Sequence, residues 1–429
     1  MIDSLIESKI LLARGEEGGT MKRSARGIRL FFVIVLGVVF IFSQGDPVLA
    51  KQKVRISFIG PLIGGNASMG LGGRNSFELA VRQYNRGVFG DKKYEYEAVV
   101  ENDECVPATG VRVATKVASD PSIIAGASHY CSMVGIATKP VFIQYKFPSM
   151  IWGAVLPAIT IPSAGKYITR VNGTQREQNA FHADWSRNTL KKIYRIPPET
   201  FVVIHDITDY GRGHADYFIS SVEKLGGKIL ARMGVTIGQE DFSAELTRAK
   251  ALKPDVIFYG GLTPEGARLR VQMEKLGIKA GYEGTSGILN EDFNKTVGGK
   301  VAEGCTAFGE GAPFEKLPGG KEFFANYQKE GFKDEPEFYG IFAYVAAQLI
   351  MDAIEKVGPD REKVADLLAH TERQNSVIGP IKFDKDGQNI LPAVTAYVSQ
   401  DEKWVVWEDS EYATSKRILP TIKYMKEKR

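Results

Sequence analysis

Short apolar runs bounded by turn residues alternate, from Val54 onward, with longer stretches in which apolar residues recur every three or four positions. "VRISFIG" leads through "PLIGGNASMGLGG" into "RNSFELAVRQYN", "FVVIHD" through "ITDYGRG" into "HADYFISSVEKLGG", and "DVIFYGG" through "LTPEG" into "ARLRVQMEKLG". The runs read as buried strands and the periodic stretches as amphipathic helices. Repeated strand–loop–helix units specify doubly wound parallel sheets, and there are too many for one small sheet. The expected fold is α/β, with two doubly wound parallel-sheet lobes.

The first fifty residues break this pattern. From Met21 to Ala50 a basic segment precedes an apolar run from Leu30 to Phe42, and Val48-Leu49-Ala50 offers a small-residue cleavage site. This is the layout of a secretory signal peptide. Residues 1–20 do not belong to one, so Met21 is the expected start, 21–50 the leader, and Lys51 the first residue of an exported, periplasmic chain. No later segment reads as long and apolar enough to span a bilayer.

Export changes the reading of the three cysteines. Cys105 follows "YEYEAVVENDE", whose Tyr94, Tyr96, Ala98 and Val100 alternate as in a strand, and Cys131 follows the apolar run "SIIAGAS". Between them "ATGVRVATKVA" reads as a helix with Val111, Ala114 and Ala118 on one face. Parallel neighbouring strands would bring both cysteines to one edge, predicting a Cys105–Cys131 disulfide with Cys305 a buried thiol; free structural thiols are the alternative. His129-x-Cys131 lacks the further ligands of a metal site.

The Gly-rich loops fall at the C-terminal ends of strands, where ligands collect in such sheets. "PLIGGNASMGLGG" has no Gly-Lys-Ser/Thr ending and "GLGGRN" lacks the last glycine of the dinucleotide pattern, so no nucleotide, metal or other cofactor is expected. A formal net charge of +4 over 429 residues, with no basic block, gives no argument for nucleic acid.

In order along the chain, "FIGPLIGGNASMG", "ENDECVPATG" with "SHYCS", "VVIHDITDYGRG", "DFSAELTRAK", "PDVIFYGG" and "VIGPIKFDKDGQ" resemble the periplasmic branched-chain amino acid binding proteins, the Leu/Ile/Val-type solute receptors of ABC importers. The resemblance implies a monomeric clamshell receptor that closes on a small-molecule ligand and delivers it to separate permease and ATPase subunits. It places the three crossings between lobes near 169–173, 303–310 and 375–381. The first lobe would then hold 51–171 and 306–378, and the second 172–305 and 379–429.

By the same resemblance Ser132 grips a ligand carboxylate and Ala154 offers its backbone to it. Tyr210 and Tyr339 close the cleft and Met69 adds an apolar wall. Three positions depart from the pattern: Val155 stands in place of a threonine, Leu262 in place of a tyrosine, and Ser286 in place of the glutamate that pairs with the ligand ammonium. The expected ligand is accordingly a small carboxylate or amide with an apolar or aromatic body and no ammonium, in preference to an amino acid such as leucine, unless Asp209, Glu265 or Glu283 supplies the charge. Two other classes compete: a sensing module of the same fold, and a serine hydrolase built on Ser132, His129 and Asp103. The hydrolase reading suffers from the absence of a Gly-x-Ser-x-Gly elbow, and no enzymatic activity is expected.

Overall fold

The computed structural model describes residues 51–162, 164–391 and 393–429, so the expected leader and start at 1–50 lie outside the described residues. Five parallel strands make the first sheet: β1 (Gln52–Gly60), β2 (Tyr94–Asn102), β3 (Ile123–Ala127), β4 (Ser149–Ile151) and β5 (Ile168–Arg170), in the order β2-β1-β3-β4-β5. The second sheet continues with β6 (Thr200–Asp206), β7 (Lys228–Val235), β8 (Val256–Gly260), β9 (Gly281–Gly284) and β10 (Thr306–Gly309). A small ribbon of β11 (Glu372–Arg373) and β12 (Ile381–Lys382) follows, and β13 (Thr395–Gln400) and β14 (Lys403–Val406) complete the second sheet in the order β14-β13-β10-β9-β8-β6-β7.

The central strands β3 and β8 are buried along their whole length, which is why they read as unbroken apolar runs. At the edge of the first sheet β2 alternates only over its first half, with Tyr96 buried between exposed Glu95 and Glu97, and is half-buried from Ala98 onward. The second sheet departs from the purely parallel expectation, since β13 and β14 pair antiparallel at its edge. Such a strand needs only a tight turn and no crossover helix.

The expected strand–helix–strand unit around the cysteines forms, but β1 lies between β2 and β3. The cysteines meet because both stand a few residues beyond their strands, in loops that reach over the end of β1. The disulfide Cys105–Cys131 spans a Cα–Cα distance of 5.5 Å, and Cys305 is a buried thiol. On the helix Pro107–Ser119 the buried face is Val113, Ala114, Val117 and Ala118, with Val111 at its margin.

The helix Ala67–Asn85 begins earlier than expected, because its glycines serve packing and not a turn. A Cβ on Gly70 would run into the Pro61 carbonyl, and one on Gly72 would lie 2.7 Å from the Pro336 carbonyl oxygen. The helix Glu337–Val357 packs along it, and by length and composition that helix would cross a membrane, contrary to expectation. It is instead the central core helix of the first lobe, with Tyr344, Val345, Ile350 and Met351 buried against Phe77 and Tyr84.

The chain passes between lobes three times. It leaves β5 at Arg170 for the helix Gln175–Asp184, which packs on the second lobe; it returns between β10 and Phe323 of the first core; and it leaves again between Phe383 and β13. The expected division at 305/306 would cut β10 from the sheet it pairs in, and the third passage comes after 375–381, since Ile381 and Phe383 still belong to the first core. The first and third crossings are joined side by side, with Asn389 N–H donating to the Arg170 carbonyl at 3.0 Å and Asn389 Nδ2 to that of Val171 at 2.9 Å.

Candidate functional site

Ser132 opens the helix Ser132–Gln144 directly after the cystine, with Cys131 at the N-cap. Its Oγ accepts the N–H groups of Val155 and Leu156, each at 3.2 Å. The hydroxyl proton is thereby left to donate elsewhere. The first-turn N–H groups of a helix have no intrahelical acceptor and carry its positive end. Beneath the 153–156 loop the buried Arg170 guanidinium donates to the carbonyls of Val155 at 3.4 Å and Leu156 at 2.6 Å, and burial pushes it down to about 9.

The facing wall comes from the second lobe. Tyr210 stands in the first turn of the helix Asp209–Lys224, its hydroxyl 3.0 Å from Thr285 Oγ1, and burial raises its pKa. Leu262 is the N-cap of the helix Thr263–Lys275, and Ser286 begins the short turn after β9. Tyr339, from the first lobe, closes the end with its ring edge-on to Tyr130 at 5.7 Å.

One enclosed cavity is lined by Ser132, Tyr210, Leu262, Ser286 and Tyr339. Tyr130, Cys131, Met133, Gly153 and Thr208 complete it. Its volume is ≈ 10 Å³, room for about one water. A solute of amino-acid size enters only if the walls part.

Three expected lining residues stand back from it. Met69 lies inside the Ala67–Asn85 helix, 1% exposed, in the first-lobe core. Ala154 is buried in a neighbouring apolar cluster, and its N–H already donates to the His129 carbonyl at 2.9 Å. Val155 is buried, with its N–H on Ser132 and its carbonyl on Gln175 N–H. The backbone of this loop is held by protein partners, so Ser132 itself carries the donor on this wall.

Of the hydrolase reading only the His129–Asp103 pair forms, and Ser132 is not joined to it. His129 pairs through Nδ1 with Asp103 Oδ2 at 2.8 Å and through Nε2 with Thr138 Oγ1 at 2.9 Å, while Ser132 faces the 155–156 backbone. Among the described residues no group of His, Cys, Asp and Glu could hold a metal.

A family described as periplasmic binding protein matches residues 53–403. The chain belongs to the periplasmic binding protein family. It is 29% identical over 377 residues, 87% of this chain and 97% of the relative, to an amino acid binding protein of Pseudomonas aeruginosa. A leucine binding protein, LivK, of Thermotoga maritima superposes with a TM-score of 0.75 at 25% identity, covering 82% of this chain and 97% of that one. An R. palustris ABC-transporter solute binding protein in complex with benzoate shares the fold, with a TM-score of 0.72 at 15% identity, covering 82% and 95%. These relatives of the binding protein are solute-binding proteins and not enzymes.

None of the three acids considered for the missing charge reaches the cavity of this periplasmic binding protein. Asp209 is exposed, Glu265 accepts Gly238 N–H at 2.8 Å, and Glu283 is held by His182 at 2.9 Å and Ser186 at 3.1 Å. A fourth acid stands directly behind the wall. Glu310, the residue after β10, is fully buried; its Oε1 accepts from Ser286 Oγ at 3.1 Å and its Oε2 from the Tyr339 hydroxyl at 2.6 Å. Burial pushes its carboxyl up to about 7, against the pull of those hydroxyls. Its sequence context, "TAFGEGAP", contains no site motif. Tyr130, unassigned from the sequence, lies in "SHYCS" beside the cystine, and Thr208 and Gly153 enter only through loop geometry.

Proposed function

We propose that this protein is the exported solute receptor of an ABC importer, capturing a small carboxylate-bearing solute between its lobes and presenting the closed form to separate permease and ATPase subunits. The observation that carries the reading is the opposition of the two walls. Ser132, at a helix N-terminus with its hydroxyl proton available, stands across one cavity from Tyr210, Leu262 and Ser286 of the other lobe. A hydroxyl donor and helix N–H groups suit an anionic group, and Met133, Leu262 and the ring of Tyr130 suit an apolar body. Family membership and the relatives named for amino acids, leucine and benzoate support a solute of this size. All eight residues expected from the resemblance belong to the site in this proposal, five on its walls and Met69, Ala154 and Val155 set back from it.

The test is a thermal-shift screen of amino acids, aliphatic acids and aromatic acids against the chain from Lys51. A ligand raises stability by RT ln(1 + [L]/Kd), so binding at 100 Kd gives about 2.7 kcal/mol. Stabilisation by carboxylates that is lost on amidation of the carboxylate supports the reading; no response to any small acid overturns it.

A further inference from the structure

The wall formed by Ser286 and Tyr339 is backed by a carboxylate that has no cation of its own. Both Glu310 oxygens accept from hydroxyls that line the cavity, and among the described residues no ion pair reaches it. The nearest charge of opposite sign in its electrostatic surroundings is Arg170, whose donors are turned to the carbonyls of Val155 and Leu156. The remaining titratable groups facing Glu310 are the phenols of Tyr130, Tyr210 and Tyr339. A buried carboxylate with hydroxyl partners but no counter-charge is costly in its ionised form.

The geometry dictates what this wall offers a solute. When Glu310 is ionised it is acceptor-only, so the protons of Ser286 and Tyr339 both point back at it. Their lone pairs then face the cavity, directed at a hydrogen-bond donor. An ammonium brings several N–H donors and the missing positive charge together. Ser132, on the far wall, presents the opposite polarity, a donor for an anion. The two ends of the cavity are thus complementary to the two ends of a zwitterion.

We propose that Glu310 supplies the counter-charge for a ligand ammonium, relayed through the hydroxyls of Ser286 and Tyr339, so that the solute is an amino acid and not its desamino analogue. This rests on the reading of the cavity as a carboxylate site, and it replaces the sequence-based expectation of a ligand without an ammonium. Glu310 is a positioning residue here, because it acts through the two hydroxyls. Binding an ammonium favours ionised Glu310, so a fraction of a proton is released near neutral pH. Affinity for the amino acid therefore rises between about pH 6 and 8 by about tenfold in all, and levels off above that.

The experiment is calorimetry on the chain from Lys51 with two matched pairs, leucine with 4-methylpentanoate and phenylalanine with 3-phenylpropanoate. It is run at several pH values in two buffers of different ionisation enthalpy, with the parent protein and Glu310→Gln. The expected result is an amino acid bound at least tenfold more tightly than its desamino partner, with proton release, and both signatures lost in Glu310→Gln. Where that variant fails to fold, proton release by the parent protein decides alone. Equal or tighter binding of the desamino acid, or an ammonium preference and pH profile unchanged in Glu310→Gln, overturns the inference and leaves the carboxylate site standing. No binding by any of the four acids overturns the carboxylate reading with it.

Discussion

Ser132 does two things with one hydroxyl. Its oxygen organises the loop by accepting the Val155 and Leu156 N–H groups, and in the proposed site its proton is what a ligand carboxylate would accept. Glu310 has a comparable double role, since the same carboxylate orients a hydroxyl from each lobe. Replacing Ser132 with Ala removes a donor to a charged group, worth about 1.5–3 kcal/mol, so carboxylate affinity should fall by about 10- to 150-fold in calorimetry. The two orphaned N–H groups should also lower the denaturation midpoint. An unchanged dissociation constant would remove Ser132 from the site.

At the scale of elements, glycine placement and the disulfide decide how closely neighbouring segments approach. Gly70 lies within a helix, where Ala is ordinarily preferred by about 0.8–1 kcal/mol. Here the absent Cβ admits the Pro61 carbonyl, so Gly70→Ala should destabilise by about 1–3 kcal/mol in urea unfolding. Stabilisation would mean that the helix does not lie against the end of β1. The Cys105–Cys131 bridge, with a sequence separation of 26, should contribute about 3.5 kcal/mol in the chain-entropy model. The Cys105→Ala/Cys131→Ala pair should lose most of that. In the parent protein Cys305 should alkylate only on unfolding, because it is 2% exposed and burial raises its thiol pKa.

For the whole molecule, the chain passes between the lobes in a few segments, and two of them are hydrogen-bonded to each other. Glu310 begins the remaining passage, directly after β10, and there it links Ser286 to Tyr339. A cavity of ≈ 10 Å³ cannot take an amino acid until the lobes separate. Small-angle scattering should therefore show a radius of gyration that decreases on saturation with a bound solute, the signature of hinge closure. An unchanged profile at saturation would argue for side-chain rearrangement within a fixed clamshell.

Local order along the chain was enough for the α/β strand–helix units and the cystine, whereas the five residues that line the cavity were expected only from the family resemblance. Strand runs such as "DVIFYGG" and turns such as "DYGRG" carry their own burial and capping signals, and in a parallel sheet the C-terminal ends of strands converge whatever the loop details. Helix starts were misplaced where glycine is needed for contact with a remote segment, as at Gly70 against Pro61, because a sequence does not distinguish a glycine that turns from one that packs. Met69, Ala154 and Val155 went behind the wall for the same kind of reason: neighbouring helix and backbone contacts had already claimed them. Glu310 was illegible. Its partners Ser286 and Tyr339 lie on either side of it in the chain, and the burial that raises its pKa and directs two hydroxyls toward it comes from tertiary packing of segments far apart in sequence.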